Sequence, residues 1–293
     1  MAISVFTLLL GCLSAYPASY HFTQFDYPGA YDTVPQSINQ LGQIVGGWRN
    51  GPEGQPGTVE KGFFKEHASF SSFVVPGFTS TWSSGINASG QIVGSCGDTT
   101  QHGFLTDGNT PIAFDYPAAF FTNAAGINDL GQIVGVYGDA KGLHGFLKND
   151  NAFAPIDCPL GSNTNAFAIN KLGKIVGIYK GGSSDAAPTH GFLKEGVNFT
   201  TIDFSGASDT IPFGINNQGQ IVGYYEPGGG SRGFLKTGSS YQTIWVPGST
   251  TTRALGINDS GLIVGVFWNG NGPFHGFLAT PVGNPALSLL LLD

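Results

Sequence analysis

One phrase constrains this chain more than any other feature: Gly126-Ile127-Asn128-Asp129-Leu130-Gly131-Gln132-Ile133-Val134-Gly135, followed by His144-Gly145-Phe146-Leu147, returns six times. Its Asn stands at Asn39, Asn87, Asn128, Asn170, Asn216 and Asn258, spaced by 48, 41, 42, 46 and 42 residues. Such a period marks one supersecondary unit per copy. Each copy reads as two hairpins: a strand ending in Ile-Asn, a tight turn, Gln-Ile-Val-Gly, a loop, His-Gly-Phe-Leu, a second turn and a strand such as Ala152 to Asp157. Asn opening the first turn and Gly closing it suit a type I turn, in which the Asn side chain caps its own backbone. These Asn and Gly residues are therefore read as structural.

Four-stranded sheets recurring at about 40 to 50 residues are the pattern of β-propeller blades. Six copies predict an all-β, six-bladed propeller of four-stranded antiparallel blades. The last copy ends at Phe277-Leu278-Ala279-Thr280 without a fourth strand, and the chain begins with an orphan one, His21 to Pro28. That N-terminal strand is expected to complete the sixth blade and remove an open edge. A length of 293 residues would ordinarily suggest two domains, but a closed ring is one unit, here residues 20–280.

The residue before each Gly-Phe is Lys61, His102, His144, His190, Arg232 or His275. Asp115, Asp157 and Asp203 stand 13 residues after the first three His, and His275 meets Asp26 only if the ring closes. The midpoint of each pair falls in the second turn, so the partners should face each other across a hairpin, with Cβ atoms about 5 Å apart. His beside a carboxylate also serves acid/base catalysis. Four equivalent copies favour a structural role, because catalysis needs one asymmetric cluster. Thr33, Thr81, Thr122, Thr164, Thr210 and Thr252 precede each turn Asn by six residues and are expected to join the pairs through their hydroxyls.

The His, Asp and Thr pattern is similar in logic to the tetrad of WD-repeat propellers, although the Trp-Asp dipeptide is absent. The Gly-Ile-Asn, Gly-Gln-Ile-Val-Gly and His-Gly-Phe-Leu phrases, from about Phe22 to Leu278, resemble the HAF-type repeat of extracellular bacterial proteins. That resemblance implies a secreted repeat protein and carries no established activity or catalytic residue. Lys61, Val74, Arg232 and Trp245 depart from the pattern, so blades one and five should use other contacts.

Charged residues make up only 11% of the chain, against about a quarter in ordinary globular proteins. A sparsely charged surface with 46 Gly fits an extracellular protein or one of the cell envelope. The net charge of -7 excludes the basic footprint that nucleic acid requires. Residues 1–19 read as a signal peptide, and Leu9-Leu10-Gly11-Cys12 offers the alternative of a lipidated Cys12. No other stretch is long and apolar enough for a transmembrane span. Residues 281–293 read as a tail, which is also a candidate truncated sorting segment. Cys96 and Cys158 either pair or remain two buried thiols. Asn87-Ala88-Ser89, Asn198-Phe199-Thr200 and Asn258-Asp259-Ser260 match the glycosylation pattern.

The loops between second and third strands vary in length, and variable loops on a fixed scaffold usually carry binding. Beside them stand Trp48, Cys96, Tyr137, Tyr179, Tyr225 and Phe267, two residues past each Ile-Val-Gly, with Arg49, Tyr224 and Trp268 adjacent. These rings would either form a rim that stacks on sugars or pack between blades. Five residues before each turn Asn stand Val34, Trp82, Asn123, Asn165, Ile211 and Arg253, of which Trp82, Asn123, Asn165 and Arg253 could converge as a polar pocket. No catalytic, metal or cofactor motif appears. The expected function is a monomeric binding or structural module that holds a glycan or an extracellular protein through its loop face. The alternative is a carbohydrate-active enzyme, a polysaccharide lyase or glycoside hydrolase, drawing on non-repeating residues such as Arg49, Asp139, Lys180 and Arg253.

Overall fold

The computed structural model describes residues 19–182 and 186–282. Residues 1–18, which hold Cys12 and all but the last residue of the expected signal peptide, and all but the first two residues of the expected tail lie outside the described residues. The rest forms six four-stranded antiparallel sheets around one axis, a six-bladed β-propeller. Blade three is representative: innermost strand Phe121–Ile127, second Ile133–Asp139, third Gly142–Asn149, outer Ala152–Ile156. The sixth blade takes its outer strand from the start of the chain, where Tyr20–Phe25 pairs with His275–Pro281 from Tyr20 opposite Pro281 to Phe25 opposite Gly276.

The core repeats with the sequence. Six Phe, one from each third strand (Phe63, Phe104, Phe146, Phe192, Phe234, Phe277), are completely buried. So is the Val of every Ile-Val-Gly. Each apolar cluster joins two neighbouring blades: Val134 of blade three packs with Ile169, Ile175 and Phe192 of blade four. A single blade cannot hide its own faces, so the ring is the unit of stability.

The turn Asn does more than cap itself. Asn128 Oδ1 accepts from the N–H groups of Leu130 and Gln132, and Gly131 closes the turn at φ 76°. Its Nδ2 donates to the backbone carbonyl of Asn170 in the next blade. The same bond links Asn39 to Asn87, Asn87 to Asn128, Asn170 to Asn216, Asn216 to Asn258 and Asn258 back to Asn39, at 3.0–3.1 Å. Six buried carboxamides thus make a closed hoop. A second, incomplete hoop lies beside it: the N–H after the Asn donates to the next blade's side chain in Ala88 to Asp129, Lys171 to Asn217, Asn217 to Asp259 and Asp259 to Gln40. Asn128→Asp should cost about 1–3 kcal/mol, because it keeps both accepted bonds but turns an acceptor toward the Asn170 carbonyl. Chemical denaturation of the two chains checks this, and an unchanged midpoint would remove the hoop from the account.

The recurring Thr has a different partner from the one expected. Each hydroxyl accepts the N–H six residues before it, as in Tyr116 to Thr122 at 2.9 Å, and none bonds a His or Asp of the pairs. The bond forms in all six blades, including the two without a His-Asp pair. The Thr therefore fastens the corner between blades.

Candidate functional site

Each His does face its Asp. Nδ1 lies 2.9 Å from Asp115 in His102, 2.7 Å from Asp157 in His144, 2.9 Å from Asp203 in His190 and 3.0 Å from Asp26 in His275. A carboxylate only accepts, so Nδ1 carries the hydrogen. In blade five Arg232 stacks on Trp245 at 4.3 Å, and in blade one Lys61 lies 5.9 Å from the Trp48 ring. Cation–π contacts thus stand in the two blades where the His-Asp pair is missing.

Burial disposes of the aromatic rim. Tyr137, Tyr179, Tyr225 and Phe267 are buried, and Cys96 is equally enclosed. Tyr137 stacks on Tyr116 and Tyr225 on Phe204, both with ring centroids 3.6 Å apart. Trp48 stacks on Tyr27 at 4.6 Å and donates to Ser72. These rings fill the seams between blades, where a wedge-shaped gap favours large flat side chains. Trp268 remains on the loop face, its indole N–H donating to Gly272.

The charged candidates do not gather into one site, and two of them, Arg49 and Arg253, reach across to a ring of a neighbouring blade. Arg49 bonds Glu60 at 2.6 Å, pairs with Glu53 at 3.1 Å and covers the Trp82 ring at 4.8 Å. Lys180 donates to Ala187, and Arg253 stacks on Tyr224 at 4.7 Å while bonding Ser231. Asp139 lies 3.3 Å from His144, its carboxyl held below the ordinary range chiefly by the Lys141 backbone N–H. Among the described residues no three His, Cys, Asp or Glu side chains are placed to hold a metal. Cys96 and Cys158 are both free, and burial, helped by Asp115 and Asp98, lifts the Cys96 thiol to about 11. Of the glycosylation matches, Asn87 and Asn258 are buried in the hoop, which leaves Asn198 exposed.

The innermost strands build a different site. Each contains a β-bulge at the same place, such as Ala124/Gly126 and Pro212/Gly214. The residue skipped by the ladder is the third before the turn Asn: Gln36, Ser84, Ala125, Phe167, Phe213 or Leu255. All six line an axial cavity of about 400 Å³, which Trp82, Asn123, Asn165, Ser95 and Val136 also line farther from the turns. Of the four residues expected to converge, three meet there, and Arg253 does not line it. The lining includes the exposed turn residues Gln40, Ala88, Asp129 and Lys171, so the cavity opens on the face of the Asn hoop and not on the face of the long loops.

Asn123 and Asn165 occupy equivalent positions in adjacent blades, and neither Oδ1 has a hydrogen-bond partner although both atoms are buried. Phe167 and Phe213 stack at 4.6 Å with their planes 11° apart. Trp82 lies against Gly47, so closely that a Cβ there would come within 2.3 Å of the indole. The bulge made this site hard to foresee, because it turns an extra residue of each inner strand toward the axis.

No protein-family model and no curated protein matches the sequence. Solved structures match in shape. The β-propeller domain of the Trilobed protease from Pyrococcus furiosus, described as having an open velcro topology, shares 8% identity over 89% of this chain and 95% of its own at a TM-score of 0.54. An Aleuria aurantia lectin in complex with Fucalpha1-6GlcNAc shares 14% identity over 87% of this chain and 97% of its own, TM-score 0.51. Trypanosoma rangeli sialidase shares 9% over 89% of this chain and 56% of its own, TM-score 0.53. At these identities the likeness is one of fold, and it places the chain among β-propellers.

Proposed function

We propose that this chain is a ligand-binding propeller of the cell exterior, and that it binds without chemistry in its axial cavity. The observation that supports this most directly is the two buried carboxamide oxygens without a partner, those of Asn123 and Asn165, beside a cavity of about 400 Å³. Leaving a buried polar atom unbonded costs about 1–3 kcal/mol, and the volume lies within the range of small-molecule sites. Binding is favoured over catalysis by the placement of charge. The ionisable groups on the lining are Asp129, Lys171 and Asp259, all at the turn mouth, and both carboxylates there accept backbone N–H groups. The four His-Asp pairs stand at the ends of third strands, away from the cavity. The low charge of the chain and its apolar beginning support an exterior location.

A melting-temperature screen against oligosaccharides, peptides and small metabolites tests the reading. A ligand at 100 times its Kd should stabilise the protein by about 2.7 kcal/mol and be recovered unchanged. Conversion of that ligand to a product would favour the enzyme, and a screen without any stabilising compound would count against the binding site.

A further inference from the structure

Resting on that reading, we infer that the axial cavity takes the terminal residue of a neutral, hydroxyl-rich ligand, a sugar end, and that this end enters through the Asn hoop rather than through the loop face. The deep lining determines the chemistry. Asn123 and Asn165 offer carboxamide oxygens that need donors, Gln36, Ser84 and Ser95 add polar groups, and no charged side chain lines the cavity at their level, since Arg253, in the same register on blade six, turns to Tyr224 and Ser231. A sugar hydroxyl both donates and accepts, so neighbouring hydroxyls on one ring can satisfy carboxamides on neighbouring blades. A peptide terminus would carry an ammonium or carboxylate into the same space and find no counter-ion, which is costly in a desolvated site. Acidic sugars meet the same obstacle.

The ring of bulge residues nearer the turns supplies the other half of the match. Phe167, Phe213 and Leu255 line blades four to six, facing the polar arc of blades one and two. Flat rings and a branched chain suit the C–H face of a pyranose. The direction of entry follows from where the lining stops. It reaches past the turn Asn to the exposed Gln40, Ala88, Asp129 and Lys171, whereas at the level nearer the loops it includes Trp82, Asn123 and Asn165 but not the equivalent Val34, Ile211 or Arg253. The hoop is then a collar, rigid because each Asn bonds the next blade, and it admits a chain end more readily than a chain middle.

Binding to a printed panel of neutral, sialylated and sulfated oligosaccharides, with the full chain and three variants, tests this. Neutral glycans should bind. The double variant Asn123→Leu/Asn165→Leu should lose about tenfold or more in affinity, the value of roughly one hydrogen-bond pair, while its unliganded melting temperature rises because two unbonded polar atoms are gone. Ala88→Trp, which narrows the collar, should weaken binding, and Trp268→Ala on the loop face should not. A lower melting temperature in the double Leu variant would mean the carboxamides are structural and would overturn the inference. Neutral glycans bound equally by all variants would place their site elsewhere. If the melting screen finds a ligand but no neutral glycan binds, the sugar assignment fails while the binding reading stands.

Discussion

Removing residues 1–26 should leave a chain that no longer folds to a compact monomer. Those residues include the whole outer strand of blade six, whose six positions pair with His275–Pro281. Phe22 and Tyr20 pack on the blade-six core and Phe25 on the seam between blades six and one. Burial of such rings contributes about 1.5–3 kcal/mol each, and every exchanged backbone hydrogen bond adds about 1 kcal/mol. The loss, on the order of 5–10 kcal/mol, is comparable with the entire stability of a typical domain. It also uncovers an edge strand ready to pair with another molecule. Sedimentation and thermal melting of the truncated chain should show aggregates and no cooperative transition. Adding a synthetic peptide of residues 19–30 should restore part of both, since ring closure here is noncovalent. A truncated chain that stays monomeric and melts normally would mean that five complete blades hold the ring without its fastener.

What could be read in the sequence and what could not divides along local and non-local contacts. The His-Asp partnership was legible because its second turn keeps one length, which fixes the register of a hairpin whatever surrounds it. The link between His275 and Asp26 needed one further step, the closed ring. The Asn hoop was not legible, since an Asn that caps its own turn looks satisfied; its second N–H finds a partner only because six turns meet around an axis. The same blindness affected the Thr hydroxyls and the aromatic rings. Thr122 and Tyr137 lie opposite each other across two strands, but both are enclosed by the neighbouring blade, which a single repeat cannot show. The cavity depended on the bulge, an extra residue invisible to a period of two.

The irregular positions carry this division into function. Positions facing the neighbouring blade repeat nearly unchanged, because each seam must accept the same wedge. Those facing the axis, Gln36, Ser84, Ala125, Phe167, Phe213 and Leu255 in one ring and Trp82, Asn123 and Asn165 in the next, differ from blade to blade. Six equivalent strands thereby enclose an unsymmetrical space, with polar and apolar groups unequally placed around it, which a ligand with unlike faces can fit in one orientation.

Gly265→Ala should be among the most damaging single substitutions, although it adds one methyl group to a strand residue with ordinary backbone angles. A Cβ at this position would stand 2.0 Å from the Arg253 carbonyl oxygen and 2.9 Å from the Phe277 ring. Neither neighbour can retreat: the carbonyl belongs to the innermost strand beside its bulge, and Phe277 is completely buried. The same squeeze holds at Gly46, Gly94, Gly135, Gly177 and Gly223, each within 1.9–2.1 Å of the corresponding carbonyl, so the last letter of every Ile-Val-Gly is fixed by its neighbours. A cost of about 3 kcal/mol or more is expected, at the upper end for overpacking, equivalent to a melting temperature about 6–12 °C lower in a chain of this size. Gly131→Ala separates sterics from backbone strain. It has φ 76° and open space around it, so it should cost only about 1 kcal/mol through its left-handed conformation. Equal melting temperatures for the two variants would show that the bulged strand yields, and that the Gly is held for its conformation rather than for want of room.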